Sequence, residues 1–291
     1  MHEKGYYFCS FNADDCCKKK IMEKPAASNW TLKDGKISDA ELPVFDPLLF
    51  GQIYDVIRVE NGRPIFLQDH LERLFKGLRQ SHIAVSFSLE ELRSKLSQLI
   101  KESHAAAGNI RIEVIFDRDN SQMQSWQAYF TPTSYPDPLM YENGVDCCLL
   151  ERERENPEIK MANPLLRQES DRMRNNRSVY ETILHSKGLI TEGSRTNIFF
   201  IRKNELWTAP EHMVLSGTIR KKVIDIAQSI SIPIYLYPVN VDELHKMDGA
   251  FITGTSPRVL PIRSIEHTLF KIPHPLTSLI MNKLQEYISE Q

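Results

Sequence analysis

The sequence predicts a two-domain protein of mixed α/β (α+β) architecture, and three observations lead to this prediction. The chain has 291 residues, enough for two domains with buried cores. Apolar residues at strand spacing and at helix spacing follow one another along the chain. Three prolines fall within residues 131–138, which excludes an element interior there. We therefore expect a polar extension at 1–32, a small α+β domain at 33–132, a linker at 133–139 and a larger α/β domain at 140–291.

The small domain begins with a strand, because apolar and polar residues alternate from Ile53 to Val59 and a turn signal, Asn61-Gly62, follows. Ser88 and Glu91 have the spacing of a capping box that opens a helix. The elements predicted for this domain are strands at 53–59, 65–67, 110–116 and 126–130, and helices that begin at the caps Asp69 and Ser88.

The large domain alternates short apolar runs with longer segments of helical spacing. A proline is tolerated in the first turn of a helix, which suits the two helices that open on proline. The elements predicted here are strands at 145–150, 198–201, 234–237 and 250–252, and helices at 164–185, 218–231 and 275–289.

Composition excludes several classes of protein. Lys and Arg (36) nearly balance Asp and Glu (38), so no basic surface for nucleic acid is expected. No run approaches the ~20 apolar residues of a membrane span. The start, Met1-His2-Glu3-Lys4, lacks the pattern of a secretory signal. We expect a cytoplasmic protein with no membrane and no nucleic-acid partner.

The five cysteines are an odd number, and four of them lie in adjacent pairs. Adjacent cysteines rarely bond to each other, and no spacing here is typical of a metal site. We therefore expect free thiols in a reducing compartment and no metal.

Two segments bring together a lysine and a carboxylate, in Glu158–Asn163 around Lys160 and in Gly188–Ile201 around Glu192. A lysine that forms an imine and an acid that faces a pyridinium nitrogen are what pyridoxal phosphate requires of a protein. Taken alone, Lys160 also fits a solvated surface charge, and Glu192 fits a loop carboxylate after a turn. The surrounding segments favour the chemical interpretation.

With Trp207–Pro210 and Leu215–Arg220, these segments closely resemble the class IV aminotransferases, the fold-type IV pyridoxal-phosphate enzymes. That family includes branched-chain aminotransferases, D-amino acid aminotransferases and aminodeoxychorismate lyase. The likeness covers about residues 33–290. It implies a two-domain fold of the D-amino acid aminotransferase type, pyridoxal 5′-phosphate between the domains, and a homodimer. It also implies that Lys160 carries the cofactor and moves a proton, while Glu192 keeps the pyridine nitrogen protonated.

The same resemblance assigns a phosphate site to Arg73, to Gly217, Thr218 and Ile219, and to Gly254 and Thr255. A helix that starts after Ser216 would have free N–H groups that favour binding of an anion. Residues 216–219 taken alone equally fit an ordinary helix cap. The family has Gly-Ile-Thr or Gly-Val-Thr where this chain has Gly-Thr-Ile, so the hydroxyl moves by one position. Arg73 taken alone also fits a solvent-facing residue of an amphipathic helix.

Three further residues are candidates for substrate contact. Tyr54 matches an active-site tyrosine, yet an aromatic in an alternating strand is also typical of core packing. Arg111 resembles the carboxylate-recognising arginine of branched-chain aminotransferases and equally fits the exposed face of a strand. Arg258 stands where the family has an acidic pattern, and it fits either an anion contact or a solvent-exposed residue.

The sequence therefore predicts an aminotransferase that acts on an α-amino acid, branched-chain-like or D, and a 2-oxo acid. An alternative is a lyase such as 4-amino-4-deoxychorismate lyase, although Asp55 stands where those lyases place a threonine. Another alternative is an inactive binding module on the same fold, since residues 164, 167, 218 and 258 depart from the family pattern.

Overall fold

A computed structural model describes residues 30–39, 41–42, 45–46 and 49–290. These residues form two β-sheets of six and nine strands, each covered by helices, which confirms the mixed α/β class.

The six-stranded sheet is antiparallel throughout, in the order β2-β1-β6-β5-β3-β4. Two helices, α1 and α2, follow the second hairpin and pack on one face of this sheet. The elements are β1 Thr31–Lys33, β2 Lys36–Ser38, β3 Phe50–Glu60, β4 Arg63–Pro64, α1 Leu67–Gln80, α2 Leu89–Ser103, β5 Ala107–Asp117 and β6 Met123–Thr131.

The nine-stranded sheet mixes parallel and antiparallel pairs, in the order β12-β11-β10-β13-β14-β7-β8-β9, with β15 paired to β14. Its strands are β7 Val145–Glu151, β8 Glu181–Ser186, β9 Leu189–Gly193, β10 Asn197–Arg202, β11 Glu205–Thr208, β12 Ile234–Leu236, β13 Gly249–Gly254, β14 Arg258–Ile265 and β15 Thr268–Leu269. The helices are α3 Pro138–Asn143, α4 Pro164–Arg177, α5 Thr218–Ser229 and α6 Pro275–Ser289, with short 3-10 helices at Glu211–Met213 and Val241–Lys246.

Strand β3 separates two environments. Its residues alternate between half-buried and buried along its full length, because successive side chains of a strand point to opposite faces. One face, with Ile53 and Ile57, packs against leucines of α1 and α2. Asp55 lies on this same face and is fully buried. Tyr54 points to the opposite face, so neighbouring residues of β3 contact different parts of the protein.

Most of the predicted elements are confirmed within one to three residues at each end. The cap at Ser88 is confirmed, because its hydroxyl accepts a hydrogen bond from the N–H of Glu91. The closing helix begins at Pro275 and ends at Ser289 as predicted.

Three predictions were wrong. The helix expected at 164–185 ends at Arg177, where Ser178 adopts a left-handed conformation with φ 52°, and Glu181–Ser186 is a strand. This strand lies between β7 and β9. Its first four residues are all buried, with Ile183 in the core of the large sheet and Leu184 against Leu166 of α4. Its sequence therefore lacks the alternation that marks a strand.

The strand expected at 65–67 is also wrong. The hairpin partner of β3 is Arg63–Pro64, and α1 already begins at Leu67 after Phe66, whose φ is 53°. Asp69 is not the cap. It lies in the first turn and pairs with Lys221 and Lys222 of α5.

The domain boundaries remain a prediction. Residues 1–29 lie outside the described residues, and so do Cys9, Cys16 and Cys17. Cys147 and Cys148 are buried free thiols. Within the described ranges, no helix combines the length and apolarity needed to cross a membrane. The same ranges hold no cluster of His, Cys, Asp or Glu suited to a metal ion.

Candidate active site

Lys160 lies on a short segment that extends the edge of β3. The N–H of Tyr54 donates to the carbonyl of Lys160 over 3.0 Å, and the N–H of Ala162 donates to the carbonyl of Gln52 over 2.9 Å. Between these two hydrogen bonds, Met161 and Ile53 form an isolated antiparallel β-bridge. These bonds fix the backbone of Lys160 against the six-stranded sheet, although its chain neighbours come from the connection between β7 and α4.

The amine of Lys160 stands over the ring of Tyr54, with Nζ 5.0 Å from the ring centroid. Burial lowers the pKa of Lys160, and the positive charges of Arg73 and Arg154 lower it further, while the phenol of Tyr54 opposes them. A lowered pKa leaves more of the amine neutral, which is the form that acts as a nucleophile or base.

Tyr54 faces a group of cations. The charge of Lys160 is the main reason that its pKa falls to about 8, and Arg111, Arg167 and Arg154 act in the same direction. The guanidinium carbon of Arg111 lies 4.0 Å from the centroid of the Tyr54 ring, a cation–π contact. Tyr54 is therefore a side chain of the site rather than part of the core.

Glu192 is buried and receives three hydrogen bonds. Its Oε1 accepts from Nε of Arg154 at 2.8 Å, and its Oε2 accepts from Nδ2 of Asn197 at 3.2 Å and from the N–H of Leu215 at 3.1 Å. A carboxylate has about four acceptor positions, so one position remains on Oε1. Burial raises the pKa of Glu192, while Arg154 opposes that rise.

Arg73 is held by Asp55 and reaches the start of α5. Its Nε and one terminal nitrogen donate to the two oxygens of Asp55 at 2.9 and 2.7 Å, and the other terminal nitrogen donates to the carbonyl of Ser216 at 3.2 Å. Nδ1 of His70 lies 2.8 Å from Asp55. Although burial opposes it, the charge of Arg73, with His70, holds the pKa of Asp55 well below its usual range.

The start of α5 offers free backbone donors. Gly217 caps this helix without a side-chain hydrogen bond, and Thr218 and Ile219 are buried at its first turn. The N–H groups of a first turn have no partner within the helix. A Cβ at Gly217 would collide with Oδ1 of Asn197. Only glycine therefore lets the backbone come this close to the residue that holds Glu192.

Gly254 and Thr255 approach β3 from the other sheet. The hydroxyl of Thr255 donates to the carbonyl of Val56 over 3.2 Å. A Cβ at Gly254 would lie 3.3 Å from the ring of Pro257, tighter than an ordinary contact. Thr255 therefore contacts the backbone of β3 one residue after Asp55, which holds Arg73.

The predicted substrate residues separate into two places. Tyr54 and Arg111 line a cleft of about 180 Å³ that also includes Arg154, Arg167 and Ser194. Arg258 lies elsewhere, where its guanidinium binds Glu60 at 2.5 Å and Gln285 at 2.6 Å. The structure thus brings both Lys160 and Arg111 to the ring of Tyr54 and engages Arg258 in another network.

Sequence reasoning missed Arg154 and His70. Arg154 lies in the charged run 151–155, which has the composition of a solvated connection and carries no signal for an ion pair with an acid 38 residues away. His70 had a usable signal. It stands three residues before Arg73 in α1, so both side chains lie on one helix face.

A family model described as amino-transferase class IV matches residues 52–265. A D-alanine aminotransferase of Bacillus licheniformis is 30% identical over 247 residues, which cover 81% of this chain and 87% of the relative.

Solved structures share the fold at lower identity. A branched-chain amino acid aminotransferase of Escherichia coli has a TM-score of 0.78 and 18% identity, covering 90% of this chain and 94% of that one. A putative 4-amino-4-deoxychorismate lyase of Legionella pneumophila has a TM-score of 0.76 and 21% identity, covering 85% and 97%.

Proposed function

The chain belongs to the class IV aminotransferases, and on that premise we propose that Lys160 carries pyridoxal 5′-phosphate and moves the proton during amino transfer. The enzyme is an aminotransferase, which exchanges an amino group between an α-amino acid and a 2-oxo acid. The observation that carries the proposal is the position of Lys160, whose backbone is bound to β3 and whose amine lies 5.0 Å from the centroid of the Tyr54 ring. Its lowered pKa agrees with this role.

The residues present fit the cofactor. Glu192 keeps one acceptor position on Oε1, which suits a protonated pyridine nitrogen. The uncapped start of α5, with Arg73 against Ser216, suits a phosphate. When bound, pyridoxal phosphate supplies an aldehyde that condenses with amines and a ring that withdraws electrons from the substrate Cα.

Each side chain then has a definite task. Glu192, whose ionised form Arg154 favours, would hold a proton at the ring nitrogen. Lys160 would move the proton between the substrate Cα and C4′ of the cofactor, because its lowered pKa makes a neutral amine accessible. Arg111, over the Tyr54 ring, binds the substrate carboxylate.

Reduction with borohydride tests the assignment of Lys160. Peptide mapping of the reduced enzyme should find the cofactor on Lys160, and Lys160→Ala should abolish both the adduct and amino transfer. Lys283→Ala removes an exposed lysine paired with Glu286 on α6 and serves as the control. An adduct on another lysine, or full activity of Lys160→Ala, would contradict the proposal.

The amino donor can be identified by testing a panel of D- and L-amino acids with the purified holoenzyme. D-alanine and branched-chain amino acids lead this panel, because relatives carry those names. Conversion of the cofactor to its amine form by a donor identifies the substrate. Asp55, engaged with Arg73 and His70, disfavours the lyase alternative, and pyruvate released without an amino acceptor would instead support it.

The homodimer and the cytoplasmic location remain proposals. The dimer is tested by sedimentation of the holoenzyme at several concentrations, and a monomer at micromolar concentration would contradict it.

A further inference from the structure

The loop Thr255–Pro257, which connects β13 to β14 in the nine-stranded sheet, is bound to the six-stranded sheet. The hydroxyl of Thr255 donates to the carbonyl of Val56 over 3.2 Å. A terminal nitrogen of Arg58 donates to the carbonyl of Ser256 over 3.0 Å. Both acceptor and donor on the far side belong to β3, so this loop joins the two sheets at one of the proposed phosphate residues.

Glu60, the last residue of β3, lies between two guanidinium groups. Its Oε1 is 2.6 Å from Nε of Arg58, and its Oε2 accepts a hydrogen bond from a terminal nitrogen of Arg258 at 2.5 Å. All three side chains are partly buried, so solvent screens these ion pairs less than it screens fully exposed ones. Arg58 binds the loop and Arg258 follows it directly in the chain, so one carboxylate holds both ends of the contact.

The backbone of Arg258 has a conformation that needs support from its surroundings. Its φ is 55°, in the left-handed region that is disfavoured for a residue with a Cβ. Such a conformation persists where other contacts outweigh its cost. The guanidinium supplies two of them, one to Glu60 and one to Oε1 of Gln285 on α6 at 2.6 Å. Arg258 therefore turns the chain from the loop into β14 while its side chain is fixed to β3.

A second set of contacts holds the loop from β5. Nδ2 of Asn109 donates to the hydroxyl of Ser256 at 2.8 Å, and the hydroxyl of Tyr135 donates to Oδ1 of Asn109 at 3.1 Å. The guanidinium carbon of Arg58 lies 4.0 Å from the centroid of the Tyr135 ring, a cation–π contact. Arg58 is thus held by Glu60 and by an aromatic ring while it binds the loop.

We propose that Glu60 and Arg258 position the loop Thr255–Pro257 for the phosphate group of the cofactor, acting through the loop without touching the cofactor. This inference rests on the proposed function. The other proposed phosphate residue, Arg73, is fixed to β3 by Asp55. The ion pair at the end of β3 therefore sets the position of the loop relative to Arg73, and groups that bind one ligand from two elements need such support.

The residue type at position 258 agrees with this role. Arg258 stands where the family has an acidic pattern. An acid at this position would place a second carboxylate beside Glu60, and like charges repel each other. The pair between Glu60 and Arg258 therefore depends on a feature in which this chain departs from the family pattern.

The test compares pyridoxal 5′-phosphate with pyridoxal, which has the same ring and aldehyde without the phosphate. The full chain, freed of cofactor, is titrated with each compound, and binding is followed by absorbance. Glu60→Gln removes both ion pairs and should raise Kd for pyridoxal 5′-phosphate by about fivefold or more. Its Kd for pyridoxal should stay within about twofold of the wild-type value, because the loop then has no phosphate to bind. Arg258→Lys should keep more of the preference for the phosphorylated compound than Arg258→Gln does.

The double variant Glu60→Gln/Arg258→Gln shows whether the two residues act as a pair. It should bind pyridoxal 5′-phosphate no more weakly than Glu60→Gln alone, because the first substitution already breaks the pair. Arg263→Gln is the matched control, since this arginine lies on the same strand, β14, and pairs through Nε at 2.9 Å with Asp146 of its own sheet. The control should bind both compounds as the wild type does.

An equal rise in Kd for both compounds in Glu60→Gln would show a purely structural role and overturn the inference. Losses that multiply in the double variant would also overturn it, because the two residues would then act independently. A wild type that binds neither compound would overturn the proposed function as well. An unchanged preference for the phosphorylated compound in Glu60→Gln overturns this inference alone.

Discussion

Arg154 donates its Nε–H to Oε1 of Glu192 over 2.8 Å, and this ion pair is almost removed from solvent, with 15% and 3% of the two side chains exposed. A buried carboxylate tends to remain neutral. Arg154 favours the ionised form of Glu192 and also donates to the carbonyl of Ser194 at 3.2 Å. Under the proposed function it would be a positioning residue, since it would act on the cofactor through Glu192.

Arg154→Met should shift the acid limb of the pH profile of kcat/KM. Burial already raises the pKa of Glu192, and Arg154 is the main opposing charge. Under the proposed function activity requires ionised Glu192, so we expect it to fall as the pH drops through this pKa. Loss of Arg154 raises the pKa further and moves the limb about 1–3 units to higher pH. Arg152→Met is the control, because Arg152 is exposed and pairs with Glu169. An unshifted limb in Arg154→Met would show that Glu192 needs no such partner.

Tyr54 should titrate near pH 8 in the apoenzyme. Its pKa is lowered from 10.0 to about 8, chiefly by Lys160. Spectrophotometric titration should show one tyrosine that ionises near pH 8, absent from Tyr54→Phe and moved toward 10 in Lys160→Met.

The same shift has a consequence for stability. Because the folded pKa of Tyr54 is lower than the unfolded one, its ionisation stabilises the fold increasingly as the pH rises from about 8 to 10. This gain is complete above the unfolded pKa and is lost as the pH falls through 8. Tyr54→Phe should lack it in urea unfolding at the two ends of that range. Tyrosines that all titrate near 10 would contradict both expectations.

Gly217→Ala should lower kcat/KM by about 100-fold, because a misplacement of about 1 Å at a catalytic group has that effect. The added methyl group collides with Oδ1 of Asn197, whose Nδ2 binds Glu192 and the carbonyl of Leu215. Steady-state kinetics and cofactor retention after gel filtration measure the loss.

Gly77→Ala is the matched control. Gly77 lies in α1, and a Cβ there would be 3.4 Å from the side chain of Ile159, an ordinary van der Waals distance. Alanine also favours a helix by up to about 1 kcal/mol over glycine. This variant should keep its activity and melt at the same or a higher temperature. Equal kinetics in the two alanine variants would rule out a role for the close approach at Gly217.

Asp55→Asn should reduce the free energy of unfolding by about 3–5 kcal/mol, because it leaves a buried guanidinium without its counter-charge. Asp55 is fully buried and binds both Arg73 and His70. Urea unfolding at neutral pH measures this change. Glu169→Gln removes an exposed pair with Arg152 and should change the free energy by less than about 1 kcal/mol. A loss of similar size in both variants would show that Asp55 is no more than a surface pair.

Local patterns predicted many of the elements because their causes are local. The alternation in Ile53–Val59 and the cap at Ser88 depend on neighbours a few residues apart. Glu181–Ser186 was misassigned because distant parts of the chain cover its two faces, with Ile183 packed in the core of the large sheet and Leu184 against Leu166 of α4. The spacing of apolar residues within the segment gives no sign of that burial.

By itself, the sequence determined the class of fold and the family, since these follow from local patterns and from the family's short motifs, and it predicted Lys160 and Glu192 as the residues that hold the cofactor. Only the tertiary structure decided which charges meet. Arg73 reaches the carbonyl of Ser216, 143 residues away, and Arg154 reaches Glu192. Such contacts depend on how two sheets pack, and a charged residue has the same appearance in a sequence whether packing turns it toward solvent or toward a buried acid.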